Sequence, residues 1–436
     1  MLAPTAAFRH VRAMRAAPSP PRPTALPGFG EFVTMIAALM AMTALAIDSM
    51  LPALPDIGAS FGVENDNDRQ WVIAIFLFGF GVMQLVFGTL SDRFGRKPVL
   101  AAGYSLYVIF SLACAISQSF EMLLVARFLS GAALAVSRSL AVAIVRDRFA
   151  GRQMARVMSL AFIVFMAAPI IAPAVGQLIL FVAPWRWIFF MLAIAGAAVM
   201  LWVGLRLPET LALEHRLPLN LGRLAAAWRR AASERFSVGY TLALTVMQGA
   251  LIGFITSAQQ VFFDVFRHPL WFTPVFAVVA GTMAIANWQN SRIVVRLGTR
   301  FVSHWALIGY IGFAALHLGV AMSGWETIYS FTLLQALTMG CFGLASANFG
   351  AMAMENMGGI AGSASSVQGF VATCGAAVIG ISIGQAFNGT VVPLVAGFLV
   401  CGVIALGIVF VTERRRLFVD EDEPIVPADP GPLPLE

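Results

Sequence analysis

Apolar residues along this chain do not alternate in short amphipathic runs. They come in long blocks separated by brief polar breaks that carry Gly, Pro and Arg. A hydrocarbon layer about 30 Å thick is crossed by roughly 20 apolar residues at 1.5 Å rise each. Twelve blocks meet that length, at about 32–53, 71–91, 98–118, 121–145, 155–182, 186–206, 237–262, 271–292, 302–322, 326–350, 362–386 and 391–412. The pattern predicts an all-α polytopic membrane protein with 12 transmembrane helices. The longest polar break, 207–236, holds Pro208, Pro218 and a run of Arg. It divides the chain into six-helix halves at 32–206 and 237–412, with 1–31 and 413–436 as tails. The first tail is basic and rich in Pro and Ala, with no short apolar core or cleavage site, so a cytoplasmic tail is expected rather than a signal peptide. The stretch from Asp420 to Glu436 is acidic and Pro-rich, and disorder is expected there.

Composition agrees with that reading. Of 436 residues, 59% are hydrophobic and only 11% are charged, against about 25% in soluble domains. A soluble enzyme is excluded, because a chain of this size has too little interior to hide so much apolar surface. Cys114, Cys341, Cys374 and Cys401 all lie in apolar blocks with no ligand spacing, so neither a disulfide framework nor a metal site is expected. No Walker-type phosphate loop or other cofactor motif is present.

The net charge of +6 raises the question of a nucleic-acid partner. Placement answers it. Of the 28 basic residues, Arg69, Arg186 and Arg267 fall at one set of block ends and Arg127 and Arg138 fall inside the fourth block. The other 23 gather at the opposite ends and in the polar breaks there, which predicts an N-in/C-in orientation. Nucleic acid loses its support, and the lipid bilayer becomes the expected environment. The halves also echo one another: Arg93-Phe94-Gly95-Arg96-Lys97 after the second block returns as Arg296-Leu297-Gly298-Thr299-Arg300 after the eighth. Repeated halves with a substrate cavity between them are a known transporter plan.

The stretch Gly88-Thr89-Leu90-Ser91-Asp92-Arg93-Phe94-Gly95-Arg96-Lys97 resembles the loop signature of the major facilitator superfamily at each of its defining positions. A Gly-bearing helix end followed by an acid and several bases can form a compact charged latch. The resemblance implies an inner gate made of Gly88, Asp92, Arg93, Gly95, Arg96 and Lys97 together with Arg146, in which Asp92 docks against the other half.

Inside the blocks, charge is scarce. An intramembrane carboxylate is costly and marks a functional site by default. Asp48, about 24 Å along the first helix counted from Phe32, is therefore a candidate, and Arg127 at comparable depth is its expected partner. Arg138 follows Arg127 by 11 residues, about three turns, so the two share one face of the fourth helix, and that face is expected to line a wet cavity. Gln177, Gln248 and Asn348 are further cavity candidates, while Gln259, Asn287, Gln335, Gln368 and His317 are expected to serve helix packing. The 35 Phe and 20 Met suit a pliable apolar pocket.

Asp48 before Leu51-Pro52-Ala53-Leu54-Pro55, Arg127 through Gly131, Arg146-Asp147, Ala172-Pro173 with Gly176, Trp185-Arg186-Trp187 and Leu207-Pro208-Glu209-Thr210-Leu211 occur in order. Together they are similar to the bicyclomycin/chloramphenicol-resistance (Bcr/CflA) branch of the drug:proton antiporters. Pro173 and Gly176 match the branch's antiporter motif, whereas Gln177 stands where a small residue is usual. Met40 stands where some related antiporters have a second acid. The resemblance implies a monomeric, proton-coupled exporter of small, partly apolar compounds in the bacterial inner membrane, with Asp48 as the proton-responsive group. The competing expectation keeps the fold and moves an endogenous metabolite, such as a nucleoside or amino-acid derivative. An enzyme is not expected, because no paired acids, His pair or nucleophile triad converge in the helices.

Overall fold

A computed structural model describes residues 27–149, 151–216, 221–415 and 417–418. The expectations for the extreme tails therefore lie outside the described residues. Among those described, the regular structure is helical: α1 (Phe29–Asp48), α2 (Leu54–Phe61), α3 (Trp71–Phe94), α4 (Arg96–Ala115), α5 (Phe120–Arg148), α6 (Gly151–Val182), α7 (Arg186–Arg206), α8 (Leu221–Ser233), α9 (Arg235–Gln260), α10 (Phe272–Leu297), α11 (Thr299–Ser323), α12 (Ile328–Met354), α13 (Ala361–Gln385) and α14 (Val392–Thr412). Twelve spans are long and apolar enough to cross a membrane, the first of them running through α1 and α2.

The two halves repeat one packing scheme. In the first, α3 and α4 pack on α5, α1 on α6, and α4 on α7. In the second, α10 and α11 pack on α12, α9 on α13, and α11 on α14. Glycine explains the shared turn between the second and third helices of each half. Gly95 (φ 99°) and Gly298 (φ 82°) hold backbone angles that residues with a Cβ rarely adopt.

The halves meet along α3 and α13, and more sparingly through α6 and α10. The central helices α1 and α9 come together through the short turn Leu51–Ala53 that follows Asp48. The seam between α3 and α13 runs along both helices, from Gly384 beside Gln70 through Gly81 beside Cys374 to Gly88 beside Ser366 at the basic end.

Two boundaries differ from the sequence reading. The break 207–236 is not simply a polar connector, because it contains α8, which docks on α9 and α13 and packs Ala231 against Met357 and Ala364. Its 13 residues are too few to cross a bilayer, but one apolar face can be covered. At the other end, Glu413, assigned to the tail, is 3% exposed and belongs to the core of the second half.

Candidate functional site

Asp48 and Arg127 do not pair. Arg127, 1% exposed, donates from Nε to the Val72 carbonyl (3.1 Å) and from Nη2 to the Ala46 carbonyl (3.3 Å). Its guanidinium also lies over the Phe76 ring, 4.3 Å from the centroid. The reason lies in the end of α1. The last carbonyls of a helix lack intrahelical partners and carry the negative end of its dipole, so the Ala46 carbonyl offers Arg127 an acceptor that needs no ion pair. Asp48, 4% exposed, is left with Oδ1 making no hydrogen bond to protein.

Asp48 nevertheless heads a stripe. Thr34, Ala38, Ala41, Leu45 and Asp48 recur at helical spacing on one face of α1. Along it, exposure falls from open at Thr34 through half-buried at Ala38, Ala41 and Leu45 to sealed at Asp48. Arg138 shares the face of Arg127 on α5 but not its surroundings. Its side chain is exposed, as are Val142 and Arg146 below it. The expected wet face therefore begins at Arg138 and excludes Arg127.

Of the other cavity candidates, Asn348 is buried against a neighbouring helix. Its amide exchanges two 3.0 Å hydrogen bonds with Asn290 of α10 and donates to the Leu344 carbonyl, which is a lock between helices of one half. Gln177 and Gln248 are half-buried. Next to Gln177, Gly176 is where α6 touches the turn after Asp48: a Cβ there would collide with the Ser49 carbonyl. Pro173 lies within α6, one turn from this contact. His317 is not solitary, since Glu326 lies 3.5 Å from its Nε2.

At the basic end, Asp92 accepts from Arg96 Nη1 at 2.6 Å, and Arg96 Nε donates to Asp147 at 2.9 Å. These bonds lie within the first half, so the expected docking of Asp92 across the interface is absent from this arrangement. Gly88 and Arg146 come against the second half instead, near Ser366 and Gly362 of α13. Arg93 and Lys97 project to the surface and near-surface, respectively. Sequence reasoning missed how Glu209 completes the cluster. Its carboxylate accepts from the backbone N–H of Arg96, Lys97, Thr210 and Leu211 at 2.9–3.1 Å, capping α4. The second half echoes this with Arg300, which binds Glu413 (2.9 Å) and Glu355 (3.2 Å), while Tyr240 donates to Glu413. The five-residue echo was the available signal, but an acid at the sixth helix end of each half, Glu209 and Glu413, was needed to extend it.

The opposite end carries a second device that sequence reasoning missed. Asn67 Nδ2 donates to the carbonyls of Gln385 (3.1 Å) and Phe387 (3.0 Å), and Gln385 Nε2 returns a bond to the Asn67 carbonyl (2.7 Å). Gln260 Nε2 donates to Asn67 Oδ1 (2.7 Å), and Gln70 Nε2 donates to Gln260 Oε1 and to the Gly384 carbonyl. All cross between the halves. Amides suit such a latch because each both donates and accepts.

The sequence profile of the Major Facilitator Superfamily matches residues 34–384. The chain belongs to this superfamily. As a major facilitator it is a transporter rather than an enzyme, embedded in a membrane through its twelve spans and acting on a small molecule. Among its relatives are the uncharacterized MFS-type transporter YdgK of Bacillus subtilis (29% identical; 88% of this chain and 95% of that one) and the bicyclomycin resistance protein homolog of Haemophilus influenzae (28%; 88% and 96%). A third is the multidrug resistance protein MdtL of Escherichia coli O157:H7 (27%; 90% and 98%). These agree with the Bcr/CflA resemblance. Two solved structures share the fold: the human organic anion transporter MFSD10 (TM-score 0.64, 19% identical, 88% of this chain and 99% of that one) and the xylose transporter XylE of E. coli, partially occluded and inward open (0.69, 12%, 89% and 99%).

Proposed function

We propose that this major facilitator is a proton-coupled antiporter that exports small, partly apolar compounds across the bacterial inner membrane, working as a monomer with its basic end in the cytoplasm. The observation that carries the reading is Asp48: a carboxylate inside a membrane span, without an ion-pair partner, at the sealed head of a face that opens toward the basic end. A lone acid there is neutral or charged according to which side supplies water, and its protonation can therefore be linked to which end is open. In this scheme the amide latch is the outer gate, and the Asp92–Arg96–Asp147 cluster is the inner gate in its undocked state. The relatives named for bicyclomycin and multidrug resistance support a drug-like cargo.

The test is export of chloramphenicol from proteoliposomes under an imposed pH gradient, comparing the wild type with Asp48→Asn. The variant is expected to retain substrate binding and lose gradient-driven movement. Full coupling in Asp48→Asn would remove the acid from the mechanism, and net flux with the protons rather than against them would favour import of a metabolite.

A further inference from the structure

We propose that Arg138 makes the cleft selective for compounds that carry an anionic group, such as a carboxylate, on an otherwise apolar body. The inference deepens the export reading by naming its substrate class, and its binding preference can be measured without transport.

Away from the ends of the twelve spans there are few formal charges. Among them, Arg127 is sealed behind carbonyls and rings, and Asp48 lies far up α1. Counted from the basic end at 1.5 Å per residue, Asp48 is about 28 Å from Phe29 and Arg138 about 15 Å from Arg148. The two are separated by more than one side chain can span. Arg138, exposed on α5, makes no hydrogen bond or ion pair among the described residues.

Its accessible face is not a lipid face. Near the other end of α5, Val125 and its neighbours Leu124, Phe128 and Leu129 form an apolar outward groove with Ile75. Arg138 lies roughly 110° around the helix from that groove's centre, and the exposed stripe it begins, through Val142, ends where Arg146 comes against Gly362 of α13 in the other half. The helices that face the centre bring no counter-charge. Between Thr34 and Leu45 of α1, from Phe236 to Gln260 of α9, and throughout α12, there is no Asp or Glu. What they offer is Ala38, Ala41, Leu45 and, half-buried on α12, Leu344.

A guanidinium presents a planar fork that matches a carboxylate bidentately and keeps its charge at any working pH. On an exposed stripe with no acid on the facing helices, it is unpaired, and a substrate anion supplies the missing partner while the aliphatic side chains of those helices take the rest of the molecule. A neutral molecule gains only the second part.

The test uses full-length protein in nanodiscs and two probes with a common body, chloramphenicol and its hemisuccinate, which adds a carboxylate. Equilibrium binding of each is measured for the wild type, Arg138→Gln and Arg138→Lys. The wild type is expected to bind the hemisuccinate at least fivefold more tightly. Arg138→Gln should weaken the hemisuccinate about tenfold, equivalent to about 1.4 kcal/mol, and the parent less than twofold, while Arg138→Lys restores most of the difference. A wild type that does not favour the hemisuccinate, or an Arg138→Gln variant that weakens both probes equally or neither, overturns the proposal. Movement of the probes under a pH gradient is scored separately: selective binding without driven movement leaves the anion site standing and removes proton-coupled export.

Discussion

A guanidinium has five N–H donors, and at Arg127 the Nε and Nη2 groups reach carbonyls on two different helices while the plane rests on Phe76. An ammonium cannot reproduce that fork. Arg127→Lys should therefore lower the stability of the purified protein by about 2 kcal/mol, the scale of a hydrogen bond to a charged group, seen as a fall in melting temperature. Asp48→Asn should leave the melting temperature unchanged or raise it, because it removes a buried charge that no protein group pairs. If the two residues were an ion pair, the variants would destabilise to similar degrees, so the comparison discriminates directly.

Helix ends carry the next level of information. Glu209 accepts from four backbone N–H groups, two of them the first of α4, where a helix otherwise leaves donors unmatched and its dipole favours an anion. Glu209→Ala is expected to cost about 1 kcal/mol as a lost cap and to loosen the Gly95 turn, visible as faster hydrogen exchange at Arg96 to Leu100. Asp92→Asn removes only one acceptor of Arg96, since Asp147 remains. Turnover should fall while substrate affinity stays within about twofold; a loss of affinity alone would place Asp92 in the binding site rather than in a gate. At Gly176 the contact is steric. Gly176→Val would force α6 away from the turn that follows Asp48, and transport should be lost with the protein still assembled in the membrane.

Taken as a whole, the molecule is two similar six-helix bodies that meet along α3 and α13 and are tied by an amide cluster at the end away from the basic residues. Gln260 takes part in two of the cross-half bonds there. Interhelical hydrogen bonds in membrane proteins are worth about 0.6 kcal/mol each, so Gln260→Ala should shift the equilibrium by about 1 kcal/mol, roughly fivefold, toward an open outer end. Spin labels at Asp56→Cys and Asn388→Cys, both on exposed positions at that end, would report a larger population of long distances. An unchanged distribution would mean that the amides are not what holds the halves together.

Much of this protein is readable along the chain because water and lipid act on each residue locally. Block length set the number of spans, the crowding of Arg at alternate block ends set the expected orientation, and the run from Gly88 to Lys97 pointed to a superfamily that the profile match confirms. Asp48, Arg127 and Arg138 stood out for the same reason, since each is costly where it lies. Partners are another matter. Whether Arg127 meets Asp48 or the carbonyl end of α1, whether Asn348 faces a cavity or Asn290, and whether four amides scattered over more than 300 residues close one gate depend on how helices rotate, tilt and approach. Those are set by side-chain packing between segments far apart in the chain. The sequence by itself therefore determined which residues must leave water and which charges function has to account for, and only the tertiary structure decided what each of them touches.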